Sequence, residues 1–146
     1  VETYRPRADA AHVTLTYESN GAGLVEVDPD RLDQVAGNLI ENALRYTPEA
    51  GRVSVRVAVG SGAIRLEVAD TGPGIHAKDL PHIFEKFYVA RKYRRIRPEG
   101  SGLGLSIVHQ VVTAMGGTIE ASSEHDRPGT RFQVTLPGES PTDSTM

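Results

Sequence analysis

The chain alternates between segments whose hydrophobic positions repeat every two residues and segments in which they repeat every three to four. The first kind predicts strands and the second predicts helices. Strands are predicted over VTLTYE (13–18), LVEVD (24–28), RVSVRVAV (52–59), AIRLEVAD (63–70), TIEASSE (118–124) and TRFQVTLP (130–137). The turn residues NGAG (20–23) separate the first two strands, and Gly60, Ser61 and Gly62 predict a hairpin between the third and fourth.

A long helix is predicted over 29–46. Asp28 and Pro29 form a helix-start signal, and Pro48 and Gly51 stop the helix. Its apolar residues repeat at three and four, at Leu32, Val35, Ala36, Leu39 and Ala43.

The other helices are shorter. Residues 1–11 favour a helix that Pro6 weakens, and a short helix is predicted near 77–87. A further helix follows in LGLSIVHQVVTAMGG and ends at Gly116 and Gly117.

This order of elements predicts an α+β fold, a two-layer α/β sandwich. A mixed, mostly antiparallel sheet would carry about three helices on one face. Between residues 71 and 101 the pattern degrades, and a segment of this length with little regular structure is usually functional or mobile. We expect a domain over 1–137 and a polar, disordered tail over 138–146.

The composition of the chain excludes several classes of protein. A chain of 146 residues with 38% hydrophobic content suits one domain. The net charge of −3 argues against nucleic acid as the main partner. Cysteine is absent, and no apolar run approaches the roughly 20 residues of a spanning helix. The cytoplasm is the simplest compartment. Because the sequence opens on Val1, we expect a fragment of a longer protein.

Three glycines alternate in EGSGLGLSIV, residues 99–108. They do not form a P-loop, because no Lys follows any of them, and the spacing fails the dinucleotide fingerprint. Two interpretations remain open. The glycines permit a tight turn before a helix, or backbone N–H groups at the helix start face an anion.

The long helix carries several polar residues in the stretch NLIENALRYT. Asn38 and Asn42 lie four apart, so they share a face at the edge of the apolar stripe, with Arg45 nearby and Tyr46 at the end. The amides either tie the helix to a neighbour or offer neutral oxygen ligands to Mg²⁺ and its substrate phosphates. Arg45 would then neutralise phosphate, and Tyr46 would stack on a base.

A carboxylate ends the strand in VADTGPGI, residues 68–75. Gly72 and Gly74 let the chain turn away sharply after Asp70. Such a carboxylate can accept hydrogen bonds from an exocyclic amine like that of adenine. Taken alone, an ordinary Asp turn is the simpler interpretation.

Taken together, these three stretches resemble the N, G1 and G2 boxes of the ATP-binding catalytic domain of bacterial two-component sensor histidine kinases. FEKFY, residues 84–88, resembles the F box between them. The motifs occur in the family's order, and the resemblance covers nearly the whole chain. It implies the Bergerat ATP-binding fold of the GHKL superfamily, which gyrase, MutL and chaperone ATPases share.

The resemblance also implies roles for individual residues. Asn42 matches the Mg²⁺-binding Asn, and Asn38 matches a supporting Asn that we also place at the metal. Asn38 and Arg45 are the residues expected to act in catalysis. Arg45 stands where the family usually has a phosphate-facing Lys, Tyr46 matches an aromatic packed on adenine, and Asp70 matches the Asp that binds the adenine amino group. The remaining implied nucleotide-binding or hinge positions are Gly72, Gly74, Ile75, Phe87, Gly100, Gly102, Leu103, Gly104 and Thr130.

An ATP lid is implied over about 71–101. Many family members carry Arg directly after the F-box Phe-Tyr, where this chain has Val89. The candidate replacements that would contact the γ-phosphate are Arg91, Lys92, Arg94, Arg95 and Arg97. The same basic run also suits a solvated lid surface, so both interpretations stay open.

The implied chemistry is phosphoryl transfer rather than hydrolysis. ATPases of this fold use a Glu as general base one turn before the Mg²⁺ ligand, where this chain has Asn38, and an amide cannot take a proton from water. The acceptor would be a histidine. None of the chain's five histidines lies in the family's HE-x-R/K-x-P context: His12, His76, His82, His109 and His125.

We therefore expect the dimerisation and phosphoacceptor domain to lie before Val1. The implied partners are that domain and, through the full-length kinase, a response regulator. The isolated domain is expected to be monomeric and cytoplasmic, within a full-length protein of the cell membrane. The alternatives are an anti-sigma-factor serine kinase of the same fold and an ATP-binding regulatory module without transfer.

Overall fold

A computed structural model describes residues 2–21, 26–85, 104–123 and 129–138 of the chain. Two 3₁₀ turns, Glu2–Tyr4 and Leu80–His82, accompany the regular elements. The helices are α1 (Arg5–Ala10), α2 (Pro29–Tyr46) and α3 (Gly104–Ala114). The strands are β1 (Thr14–Gly21), β2 (Arg52–Gly60), β3 (Ala63–Asp70), β4 (Thr118–Ser122) and β5 (Thr130–Pro137). None of the described helices is long and apolar enough to cross a membrane.

The five strands form one mixed sheet in the order β1-β2-β3-β5-β4. The β1–β2 pair is parallel, whereas β2–β3, β3–β5 and β4–β5 are antiparallel. The register places Asp70, the last residue of β3, between Val53 of β2 and Thr130 of β5. The end of β3 and the start of β5 are therefore neighbours in the sheet.

One face of the sheet is covered by helices and the other is polar. The buried face contributes Val53, Val55, Leu66, Val68, Phe132, Val134 and Leu136, which join α2 and α3 residues such as Val35, Leu39, Val108 and Val112 in a single core. On the other face one register row crosses all five strands, through Glu18, Arg56, Glu67, Gln133 and Glu120. Successive side chains of a strand point to opposite faces of the sheet, which separates the two sets, and the predicted two-layer α+β architecture is confirmed.

Helix α2 has the bounds that the sequence predicted. Asp28 Oδ1 accepts hydrogen bonds from the backbone N–H of Asp30 at 3.0 Å and of Arg31 at 3.4 Å, so it caps two free donors of the first turn. At the other end Thr47 is extended, while its N–H still donates to the Ala43 carbonyl. Pro48 follows and removes the next donor.

Two predicted elements are wrong in part. Of the strand expected over 24–28, the described residues 26–28 hold only an isolated bridge at Glu26, because Asp28 is already committed to capping α2. The turn expected over 20–23 is wrong at Asn20 and Gly21, since β1 pairs with β2 as far as Gly21, and residues 22 and 23 lie outside the described residues.

The short helix expected near 77–87 is also wrong over its described part, where the only helical element is the 3₁₀ turn Leu80–His82. Pro81 lacks the N–H that an α-helix needs at that point. Most of the expected tail, 139–146, and residues 86–101 of the expected lid lie outside the described residues.

Candidate functional site

Asp70 lies where the sheet ends, and its side chain is held by two backbone groups. Oδ1 accepts a hydrogen bond from the Gly72 N–H at 2.9 Å and one from the Thr130 N–H at 3.3 Å. The first bond closes an Asx-type turn, and the second crosses from β3 to β5. Because both donors use Oδ1, neither occupies Oδ2. The carboxylate therefore has a fixed orientation and a second oxygen that can accept from a ligand.

The environment of Asp70 changes its acidity. Burial raises the pKa of the carboxyl from 3.8 to about 6, and the hydrogen bonds from Gly72 and Thr130 lower the pKa without offsetting the burial. The group is largely ionised at neutral pH and loses its charge in mildly acidic solution. A carboxylate that has lost part of its hydration gains from a ligand that donates hydrogen bonds to it.

The loop after Asp70 fits closely against the end of α2. A Cβ on Gly72 would lie 3.0 Å from the Tyr46 carbonyl oxygen and 3.1 Å from Asp70 Oδ1. Gly74 has a φ of +78°, a conformation that favours glycine. These contacts explain why the two predicted site glycines are glycines: they bring the loop, Asp70 and the buried Tyr46 into one place.

A residue that sequence reasoning missed ties this loop to the start of β5. Ser123 Oγ accepts a hydrogen bond from the Ile75 N–H at 3.0 Å and donates one to the Gly129 carbonyl at 2.9 Å. A serine at the end of a polar edge strand carries no periodic or motif signal. The site therefore contains Ser123 besides the predicted Ile75 and Thr130.

Two buried hydroxyls near the site have no hydrogen-bond partner among the described residues, those of Thr47 and Thr130. Thr130 is only 4% exposed, and its backbone already binds Asp70. An unpartnered buried hydroxyl costs stability unless water or a ligand satisfies it. The Thr130 hydroxyl is thus a second polar group available beside the carboxylate.

An open groove of about 530 Å³ lies next to these residues, between the end of α2 and the loop after Asp70. Its lining is Tyr46, Thr47, Pro48, Glu49, Thr71, Gly72 and Pro73. Asp70 and Thr130 are not in that lining. Gly72 lines the groove and also binds the Asp70 carboxylate, so the groove and the carboxylate are adjacent rather than identical.

The polar residues of α2 lie partly buried on the helix that packs against α3. Asn38, Asn42 and Arg45 are each half-buried, and Tyr46 is buried. Neither amide side chain has a hydrogen-bond partner among the described residues. This disfavours the interpretation that the amides tie α2 to a neighbour, and it leaves their oxygens available to a ligand.

The donor set of the described residues limits what metal those residues can hold. No group of three or more His, Cys, Asp or Glu side chains converges within the described ranges. An all-protein cage for a transition metal or Ca²⁺ would need such a group. Amide oxygens near Arg45 suit instead a Mg²⁺ ion that brings phosphate oxygens and water as its other ligands.

The other predicted site residues divide into two groups. Gly104 begins α3, and no described heavy atom lies within 4 Å of the position that a Cβ would take there. Phe87, Gly100, Gly102 and Leu103 lie outside the described residues, as do the cations Arg91, Lys92, Arg94, Arg95 and Arg97.

The chain is similar to known proteins in both sequence and structure. Residues 27–140 match the family described as histidine kinase-, DNA gyrase B-, and HSP90-like ATPase. The sensor histidine kinase WalK of Bacillus subtilis is 41% identical over 115 residues, which are 77% of this chain and 19% of WalK. The chain thus spans about a fifth of the length of this curated relative.

Solved structures give the same result. The mycobacterial sensor histidine kinase MprB superposes with a TM-score of 0.77 at 32% identity, covering 95% of this chain and 91% of that one. Full-length ShkA in complex with AMPPNP superposes with a TM-score of 0.80 at 31% identity, covering 95% of this chain and 28% of ShkA.

Proposed function

The chain belongs to the family of histidine kinase-, DNA gyrase B- and HSP90-like ATPases, and we propose that it binds Mg-ATP and donates the γ-phosphoryl group to a histidine of a sensor kinase. The observation that carries the proposal is the Asp70 carboxylate, whose Oδ1 is fixed by two backbone N–H groups, while neither these nor any other described donor binds Oδ2. The similarity to ShkA, which was solved with AMPPNP, supports ATP as the nucleotide.

Adenine recognition follows from the chemistry of the residues at the end of β3 and the start of β5. The exocyclic amine of adenine donates to Asp70 Oδ2, and guanine presents a carbonyl oxygen at the same ring position, which a carboxylate repels. The buried Thr130 hydroxyl binds the base directly or through a water, which satisfies an atom that has no described partner. Tyr46, buried at the end of α2 and close to Gly72, supplies an apolar wall.

The phosphates are assigned to the polar edge of α2. Asn42 and Asn38 would hold Mg²⁺ through their amide oxygens, and Arg45 would face a phosphate. Bound Mg²⁺ neutralises charge on the triphosphate and orients it. In phosphoryl transfer the protein acts mainly by positioning and by stabilising charge, so these neutral and cationic residues suffice without a nucleophile.

Hydrolysis is disfavoured by the residues around Asn42. Glu41 is the one carboxylate between 38 and 46, and its Oε1 lies 3.8 Å from Arg7 Nη1 of α1. Asn38 is an amide and does not act as a general base. With no described base for an attacking water, transfer to another acceptor is the favoured reaction.

We assign the phosphoryl acceptor to a histidine other than those of this chain. The His76 ring accepts a hydrogen bond from the Lys78 N–H, His82 Nδ1 lies 2.6 Å from Glu85 Oε2, and the His109 ring packs on Phe84 with centroids 5.4 Å apart. These histidines serve local structure. A dimerisation domain carrying the acceptor, and a response regulator that receives the phosphoryl group from it, are therefore the proposed partners, by similarity to WalK and LuxQ.

Two experiments test the proposal. Asn42→Ala should abolish the Mg²⁺-dependent part of ATP affinity, whereas Gln34→Ala, an exposed amide on the same helix, should not change it. Equal affinities in the two variants contradict the metal assignment. Incubation with ATP labelled at the γ-phosphate tests the acceptor, since a stable label on any of the chain's own histidines contradicts its location elsewhere.

A further inference from the structure

We propose that Ser123 is a positioning residue for adenine recognition, which acts by fixing the backbone that orients Asp70. The inference rests on the proposed function and adds a residue to it. Ser123 is not a ligand contact in this account. Its hydroxyl joins the loop after β3 to the start of β5, and these are the two segments that hold the carboxylate.

The hydrogen bonds around Ser123 form a closed circuit. The Ile75 N–H donates to Ser123 Oγ at 3.0 Å, and the Ser123 hydroxyl donates to the Gly129 carbonyl at 2.9 Å. The next residue, Thr130, donates its N–H to Asp70 Oδ1, which also accepts from the Gly72 N–H at 2.9 Å. One end of the loop after β3 is thus held through Asp70 to Thr130, and the other end, at Ile75, is held through Ser123 to Gly129.

The close contacts within the circuit leave little freedom for adjustment. A Cβ on Gly74 would lie 2.7 Å from Ser123 Oγ and 3.2 Å from the Gly129 carbonyl oxygen. Ile75 is 7% exposed, and Gly129 is also buried. Without the Ser123 hydroxyl, a buried donor and a buried acceptor lose their partner, and the segments must shift or admit water.

A shift of Gly129 moves Thr130, and Thr130 sets the direction of the longer of the two bonds to Asp70, at 3.3 Å. The expected consequence is a carboxylate whose Oδ2 is no longer held where the amine of adenine donates. Loss of Ser123 should therefore reduce discrimination for the amine rather than nucleotide binding in general.

The test measures the affinities of two nucleotides for the unmodified chain and for Ser123→Ala. ATP and purine riboside triphosphate differ by the exocyclic amine, so the Kd of purine riboside triphosphate divided by the Kd of ATP measures that contact. We expect the ratio to fall about fivefold in Ser123→Ala. Ser122→Ala is the matched control, since Ser122 is the preceding residue and is exposed at the end of β4, and its ratio should equal that of the unmodified chain. An unchanged ratio in Ser123→Ala overturns the inference.

A double-mutant cycle with Asp70→Asn shows whether Ser123 acts through Asp70. The effect of Ser123→Ala on the ratio should vanish in the Asp70→Asn background, and full additivity contradicts the proposed route. If Ser123→Ala does not fold, Ser123→Cys carries the same prediction, because its thiol is a weaker hydrogen-bonding group. Failure of the proposed function itself looks different: the unmodified chain would then show no preference for ATP.

Discussion

Gly129 packs directly on the backbone of Asp70. A Cβ at Gly129 would lie 1.9 Å from the Asp70 carbonyl oxygen, and Gly129 has a φ of +122°, which side-chain-bearing residues rarely adopt. This close approach holds the start of β5 beside the end of β3 and allows the Thr130 N–H to reach the carboxylate. The glycine is therefore a condition for the site's geometry.

Gly129→Ala should destabilise the fold by about 3 kcal/mol, because it adds a backbone collision to an unfavourable φ. Gly62→Ala provides the control for φ alone, since Gly62 has a φ of +72° and no described atom lies within 4 Å of the position a Cβ would take. It should cost about 1 kcal/mol. Urea unfolding of both variants measures the difference, and equal losses contradict the role of the contact.

Asp70→Asn should separate binding from stability. The Asn carbonyl still accepts from Gly72 and Thr130, but its NH₂ replaces the acceptor oxygen with a donor. ATP affinity should fall at least about tenfold, while the melting temperature at pH 7 stays the same or rises because a buried charge is removed. Calorimetric titration and thermal unfolding check the two outcomes. Unchanged ATP affinity removes Asp70 from the site.

The raised pKa of Asp70 predicts opposite pH trends for folding and binding. The folded pKa of about 6 lies above the ordinary value of 3.8, so the folded chain binds more protons than the unfolded chain between these values. Asp70's contribution to the free energy of unfolding should therefore increase as pH falls through this window. ATP affinity should decrease through the same window, since the protonated carboxyl is a poorer acceptor.

Comparison with Asp70→Asn isolates this contribution from that of other groups. The variant should lose the part of the pH dependence of stability that arises between pH 4 and 6, a window set by the two pKa values. Identical stability profiles in the two proteins would falsify the assignment.

The two faces of β3 should respond differently to substitution. Val68 is 1% exposed in the core, whereas its neighbour Glu67 faces the polar side, with Oε1 lying 3.1 Å from Arg131 Nε. Val68→Ala should cost about 2 kcal/mol. Glu67→Gln should cost no more than about 1 kcal/mol, and less at high salt. A larger loss for Glu67→Gln would show that the polar row contributes more than a solvated surface does.

The sequence was sufficient where local chemistry determines structure. The bounds of α2 follow from the Asp28 cap, Pro29 and Pro48, and the β2–β3 hairpin follows from Gly60, Ser61 and Gly62. Asp70 and Gly72 were identified from one motif, and the structure places them against Tyr46 and Thr130.

What the sequence did not predict depends on contacts between distant segments. Ser123 lies 48 residues from Ile75, and only the strand order β3-β5-β4 brings them together. The parallel pairing of β1 with β2 likewise follows from packing rather than from any local pattern. The strand expected around Glu26 competed with the cap of α2, and alternation alone did not reveal that competition.

The most direct test of the account is calorimetric titration of the unmodified chain with ATP and with GTP, each with and without Mg²⁺. Asp70 and the α2 amides together predict that ATP binds, that Mg²⁺ tightens its binding, and that GTP binds at least about tenfold more weakly. Equal affinity for the two nucleotides, or ATP binding that Mg²⁺ does not change, would contradict the claim that Asp70 and the α2 amides recognise Mg-ATP.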